Sequence, residues 1–187
     1  MQSLYKVVNF RGVQIVFVCA IWDLKIPPRV QYHLWLMSKN RLLTRDNLNK
    51  RKKVEDLTCL FCEEQETVHH LFFDCVVVKQ LWSVLANIFH TQSLDSLEDV
   101  GKYWLSNKRN GIFNICTSAI FWSIWKLRND ICFQRTMWQS MTILFHKTAA
   151  MILNWELLCP SEKKEELRTM AMRIKKEAAQ VLWLPNT

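Results

Sequence analysis

The sequence predicts a mainly α-helical protein. Its 187 residues include 3 glycines and 4 prolines, which are too few for a turn-rich β architecture. Half of the residues are hydrophobic, enough for a substantial core. Apolar residues in the second half of the chain recur at helical intervals of three and four positions. We therefore expect helices joined by short connections.

The N-terminal part of the chain predicts short elements. The apolar residues 13–20 indicate either a strand or a buried segment. The proline pair at 27–28 predicts an extended stretch before a helix over 30–38. Thr44 is a candidate N-cap for a second helix, which ends at Lys50. The expected core residues of the first helix are Leu34, Trp35 and Met37.

The remainder of the chain predicts longer helices. Ser96 followed by Asp99 indicates a capping box that opens one of them. The segment 107–111 is the clearest predicted helix breaker. The other expected helices span 76–90, 112–134, 137–158 and 162–182.

These patterns divide the chain into four expected parts. They are an N-terminal segment over 1–20, a domain over 21–90 that contains three clustered cysteines, a helical region over 96–158 and a charged amphipathic helix within 161–187. The predicted architecture is thus a small helical domain followed by a helical C-terminal bundle or tail.

The spacing of the cysteines identifies the domain over 21–90 as a zinc-binding domain. Three of the seven lie within seventeen residues, and Cys59 and Cys62 have the Cys-x2-Cys spacing of a zinc knuckle. Cys75 and a histidine would complete a tetrahedral site, and spacing alone leaves His69 and His70 open. Four protein ligands leave no position for water, so one structural Zn²⁺ is expected. The alternative is three buried cysteines beside surface histidines.

The other cysteines are scattered and are expected to be buried thiols in a reducing compartment. They are Cys19, Cys116, Cys132 and Cys159. We also expect Glu66 and Thr67 to begin the helical turn that carries the histidine.

Residues around the cluster resemble a known family. The similar stretches are IWDLKIPPRV at 21–30, RLLTRDNL at 41–48 and HLFFDC at 70–75, followed by Trp82 and by WSIWKLRND at 122–130. Together they resemble the reverse-transcriptase zinc-binding domain of plant non-LTR (LINE-type) retrotransposons. The resemblance covers about residues 5–135, with its core at 21–82, and it assigns the metal position to His70.

The resemblance also implies a function. In the family this domain follows the polymerase and is thought of as a nucleic-acid grip. Here we expect a free C-terminal piece without polymerase or endonuclease, and no enzymatic activity. The predicted partner is RNA or DNA bound without sequence preference. The candidate binding residues are Arg41, Arg45, Lys50, Arg51, Lys52 and Lys53.

The overall charge agrees with a polyanionic partner. Lys and Arg number 25 against 17 Asp and Glu, a net charge of +8, although a merely basic soluble protein is the alternative. Phe61, Phe72 and Phe73 are candidates for base stacking if exposed, but core packing is favoured for the last two. The most apolar stretch, 112–125, is too short and polar for a membrane span.

Two further functional hypotheses remain open. The helix over 162–182 carries an apolar seam that would bind a protein partner or pack on the chain's own core. Its members are Leu167, Met170, Ile174, Ala178 and Val181. The second hypothesis is that the chain is a non-functional remnant of a retrotransposon. We expect a nuclear or cytoplasmic location, with mitochondria as the alternative because residues 1–22 contain no acidic side chain.

Overall fold

The computed structural model describes residues 16–92, 94–138 and 140–180, and these ranges contain helices and no strand. An isolated antiparallel bridge joins Thr58 and Gln65. The predicted mainly α fold class is confirmed. The α-helices in these ranges are α1 (Pro28–Ser38), α2 (Arg45–Asn49), α3 (Val76–Phe89), α4 (Leu97–Trp104), α5 (Asn107–Cys132), α6 (Met141–Asn154) and α7 (Lys164–Gln180).

The first described element is a 3₁₀ helix over Val16–Asp23, so the strand alternative for 13–20 is wrong where the structure describes it. Residues 13–15 lie outside the described ranges. Phe17 is buried and packs edge-on against Trp104, with ring centroids 5.6 Å apart. Gly101 makes this approach possible, because a Cβ there would lie 2.5 Å from the Phe17 ring. The apolar run therefore serves as core.

Helix α1 confirms the proline-based prediction. Pro27 is extended at ψ 140°, and Pro28 occupies the start of the helix, where its missing N–H costs no hydrogen bond. Leu34 and Met37 are buried as expected. Trp35 is only partly buried and packs at the edge of the core.

Ser96 caps α4 as predicted, and the breaker predicted at 107–111 is present as a kink within α5. Asp99 N–H donates to Ser96 Oγ at 3.2 Å. Helix α5 begins at Asn107 and continues through the expected break, with a kink at Asn110 (φ −102°, ψ 19°). Around a Cβ placed on Gly111 there is open space. The predicted break is therefore present as a kink at Asn110, and the buried part of the helix begins after it, at Ile112.

Helix α5 is the centre of the fold. It packs against α1, α3, α4 and α6, and α7 covers α6 and α3. The buried hydrophobic residues form one continuous core from the N-terminal 3₁₀ helix to α7. The division into four parts stays a prediction.

Polar side chains lie inside α5. Asn114, Thr117, Ser118 and Ser123 are all buried. None of the helices within the described ranges is long and apolar enough to cross a membrane.

The last helix packs on the chain itself. A 3₁₀ turn over Ser161–Lys163 leads into α7, where Leu167, Ala171 and Ile174 are buried. Their neighbours are α6 and α3. Self-packing therefore accounts for the described part of the seam. Ala178 and Val181 lie outside the side chains that the structure describes, and protein binding by the segment stays a prediction.

His33 of α1 is a titratable group inside the core. It is 3% exposed and lies against Phe72, Trp122 and Trp125. Burial lowers the pKa of His33 to about 3, because the surrounding rings cannot solvate an imidazolium. The folded protein therefore holds this side chain neutral.

This burial predicts loss of stability in acid. Below pH 6.5 the unfolded His33 binds a proton that the folded His33 does not, so acid favours unfolding. We expect a contribution of about 2 kcal/mol to be lost between pH 6.5 and pH 5. Urea unfolding of zinc-saturated wild type and His33→Leu measures it, since their difference cancels the groups that they share. If the unfolding free energies of wild type and His33→Leu changed equally with pH, the prediction would be wrong.

Candidate metal centre

A tight turn presents Cys59 and Cys62. Cys59 N–H donates to Glu64 O at 2.7 Å, and Glu66 N–H donates to Leu57 O at 2.8 Å. Inside the turn, Phe61 N–H points at Cys59 Sγ, 3.5 Å away. These main-chain contacts hold both sulfur atoms on one side of the turn.

His70 begins a π-helical turn over His70–Asp74, and Cys75 follows its last residue. Thr67 Oγ1 accepts a hydrogen bond from His70 N–H at 3.0 Å, so Thr67 begins this turn as predicted. Cys75 N–H donates to His70 O at 2.8 Å across five residues. The wide turn places His70 and Cys75 beside the Cys59–Cys62 turn.

The four side chains form one cluster. The ligand atoms of Cys59, Cys62, His70 and Cys75 all lie within 4.8 Å of one another. Cys75 Sγ is 4.0 Å from Cys59 Sγ and 3.8 Å from Cys62 Sγ. Zn–S bonds of about 2.3 Å in a tetrahedron require S···S edges of about 3.8 Å. These two sulfur–sulfur distances therefore match the edges of a tetrahedral zinc site.

The geometry separates the two histidines. His70 Nε2 lies 3.2 Å from Cys62 Sγ and completes the cluster. His69 is exposed, and its Nε2 lies 3.2 Å from Asp74 Oδ2. His69 also lies beside Phe73, with ring centroids 5.5 Å apart and the ring planes tilted by 31°. The structure therefore brings His70, and not His69, to the cysteines.

The charges of the thiols also favour a cation. A hydrogen bond from Cys75 and a weaker one from Phe61 N–H lower the pKa of Cys59 to about 5. The same sulfur–sulfur contact and burial raise the pKa of Cys75, and burial raises that of Cys62. These shifts favour a thiolate at Cys59 and oppose ionisation of Cys62 and Cys75. A divalent cation removes this conflict, because it neutralises neighbouring thiolates.

Sequence reasoning missed the residue that connects this centre to the core. Glu66 is fully buried, and its carboxylate forms an ion pair with Arg128 of α5. Arg128 Nη2 donates to Glu66 Oε1 at 2.7 Å, and Nε donates to Oε2 at 3.1 Å. Arg128 is itself 2% exposed, and its guanidinium lies over the Trp125 ring. The partners are 62 residues apart, so no local spacing reveals the pair.

Glu66 also binds the start of α2. Its Oε1 accepts a hydrogen bond from Arg45 N–H at 2.8 Å, and its main-chain carbonyl accepts one from Asp46 N–H at 3.3 Å. The expected N-cap, Thr44, precedes α2 but makes no capping hydrogen bond. Glu66 therefore caps a helix twenty-one residues earlier in the chain.

The six predicted basic residues fall into two groups. Arg45 pairs with Asp56, and Lys50 Nζ contacts Asp46 and Asn47. The other four side chains are exposed and form no ion pair with any residue that the structure describes. They are Arg41, Arg51, Lys52 and Lys53.

Two other groups of candidate residues have definite positions. Phe72 and Phe73 are buried as expected, and so is Phe61, which packs against Trp138. These rings are therefore core rather than stacking surfaces. Cys116 and Cys159 are buried as predicted. For Cys19 and Cys132 that prediction is wrong, because both lie on the solvent side of their helices.

The sequence itself carries a family signature over this region. Residues 1–82 match the family model for zinc-binding in reverse transcriptase. This match covers the whole cluster and supports a zinc-binding domain of that type, although it spans less than half of the chain. No curated protein and no solved structure matches the chain.

The geometry predicts which histidine controls metal binding. His70→Ala removes one of four ligands, so zinc affinity should fall by more than the roughly 10–100-fold typical of outer-shell changes. Folding should weaken with it, because the energy of a structural zinc ion contributes directly to folding. Metal analysis of the purified protein and chelator competition measure the loss.

The matched control is His69→Ala, which removes the neighbouring imidazole and should leave zinc content unchanged. Zinc loss in His69→Ala with retention in His70→Ala would contradict the ligand assignment.

A second prediction concerns the buried ion pair. Glu66→Gln leaves the Arg128 charge buried without its counterion, and we expect a loss of about 3–5 kcal/mol in unfolding free energy. Urea unfolding at saturating zinc provides the measurement. Glu64→Gln is the control, since this neighbouring side chain is exposed and the change should stay within about 0.5 kcal/mol. Equal small effects of both substitutions would refute the role of the pair.

Proposed function

We propose that this protein is a non-catalytic nucleic-acid-binding module organised by one structural zinc ion. Cys59, Cys62, His70 and Cys75 would hold the ion. Four protein ligands leave no coordination position for an activated water, so the metal's contribution is to the fold. The zinc ion would fix the turn at Cys59 against the start of α3.

One observation carries the nucleic-acid assignment. Arg51, Lys52 and Lys53 are three consecutive exposed cations with no ion-pair partner among the described residues. They follow α2 directly and precede the metal turn. Side chains without an intramolecular counterion are available to phosphates, and neutralising phosphates releases counterions from the nucleic acid. The match to reverse-transcriptase zinc-binding supports the same class of partner.

The six candidate residues would therefore have different roles. Arg41, Arg51, Lys52 and Lys53 contact phosphates, whereas Arg45 and Lys50 chiefly hold α2 in place through Asp56 and Asp46. Contacts of this kind position a strand and carry little sequence information. Binding would thus tolerate many sequences of RNA or DNA.

The origin of the module is part of the proposal. We infer that it derives from a LINE-type retrotransposon of plants, on the strength of the motifs at 21–30, 41–48 and 70–75. A nuclear or cytoplasmic location fits a nucleic-acid partner and free zinc-binding thiols.

The salt dependence of binding tests this function. We expect the affinity of the zinc-loaded full chain for a labelled single-stranded RNA to fall as salt rises. Replacing Arg51, Lys52 and Lys53 with Glu should lower the affinity and reduce the slope of log K against log salt by about 2, at roughly 0.7 per phosphate contact. Fluorescence anisotropy across a salt series measures both.

A charge-matched variant controls for net charge. Lys108, Arg109 and Lys176 are exposed cations elsewhere that form no ion pair with a described residue. Their replacement with Glu changes the net charge equally and should reduce the slope less. Binding without a salt slope, or equal effects of the two variants, would refute the proposal.

A further inference from the structure

The outer face of α1 carries an exposed pair of aromatic rings. Tyr32 and Trp35 are stacked, with centroids 5.7 Å apart and an interplanar angle of 23°. Tyr32 is 53% exposed, although a tyrosine ring gains energy from burial. Trp35 below it is partly buried and packs against the core. The pair is therefore a fixed indole covered by a ring that is open to solvent.

The segment that carries these rings has charge of one sign. Residues 24–45 include Lys25, Arg29, Lys39, Arg41 and Arg45 and no acidic residue. The first four are exposed and form no ion pair with a described side chain. Arg29 instead lies over the Trp122 ring, 5.8 Å from its centroid. A flat apolar ring on a segment whose charged residues are all cationic matches the chemistry of a nucleotide, which joins a base to a phosphate.

The spacing along α1 allows one strand to contact the Tyr32 ring and the cations at the end of the helix at the same time. Lys39 ends the helix seven residues after Tyr32, a rise of about 10 Å at 1.5 Å per residue. Arg41 N–H donates to Leu36 O at 2.9 Å, which holds the following turn against the end of α1. The cations after the helix thus lie within a few nucleotides' reach of the Tyr32 ring, and they continue toward Arg51.

We propose that Tyr32, stacked on Trp35, binds an unpaired base of a single-stranded nucleic acid, while Arg29, Lys39 and Arg41 contact the flanking phosphates. This inference rests on the proposed function and specifies its partner as single-stranded. Bases of a duplex are stacked on one another and offer no free face, whereas every base of a single strand has one. The site therefore prefers single strands and tolerates any base.

The test compares an intact single strand with an abasic strand of the same length, which has the same phosphates and no bases. The zinc-loaded full chain should bind the abasic strand about 5- to 150-fold more weakly, the range for loss of one base stack. Tyr32→Leu should weaken binding of the intact strand within the same range and leave the abasic strand unchanged. Tyr32→Phe, which keeps the ring, should bind as wild type does.

Phe133→Leu is the matched control, because Phe133 is 64% exposed with Arg135 over its ring, and it follows the last residue of α5, outside α1. This variant should bind as wild type does. The inference is overturned if Phe133→Leu matches Tyr32→Leu, if Tyr32→Leu weakens both strands equally, or if a duplex binds as tightly as the single strand. Salt-dependent binding that persists in those cases leaves the proposed function standing, and failure of every nucleic acid to bind overturns both.

Discussion

The carboxylate of Glu66 makes the polar contacts that connect three parts of the chain. It pairs with Arg128 on the central helix, accepts a hydrogen bond from Arg45 N–H at the start of α2, and directly precedes the turn that carries His70. Both charged partners are buried, so neither can be solvated by water if the other is lost. A pair of this kind adds little net stability but makes alternative arrangements costly.

The metal cluster and the Glu66–Arg128 ion pair together hold the segment between α2 and the π-helical turn in place. The segment between α2 and the π-helical turn has one isolated bridge and no regular helix over 51–66. Few apolar side chains there reach the core, so hydrophobic burial alone fixes it weakly. A zinc ion would fix the Cys59–Cys62 end of this segment, and Glu66 fixes the other end. Neither the zinc ion nor Glu66 would be enough alone, because a segment held at one point can still rotate about that point.

Local sequence signals predicted those parts of the structure that are determined locally. The Cys-x2-Cys spacing and the Ser96–Asp99 box act within a few residues, and the structure contains both as expected. The break predicted at 107–111 is a kink at Asn110 rather than the end of a helix, and it lies in the exposed start of α5, before the buried residues begin at Ile112. Glu66 and Arg128 were missed because an ion pair across 62 residues has no periodicity to detect. His70 required the family pattern, since spacing allowed either histidine.

The same constraints explain why cations near the metal centre would bind a strand well. Arg51, Lys52 and Lys53 follow α2, whose first turn is held by Glu66 and whose last residue, Asn49, accepts from Val54 N–H through its side chain. The backbone that carries the charges is therefore ordered before any phosphate arrives. Binding of a strand, as proposed, would then cost side-chain entropy but little backbone entropy, which favours affinity for a given number of contacts. Under the proposed function, the buried Glu66 would thus contribute to binding by positioning the cations in advance.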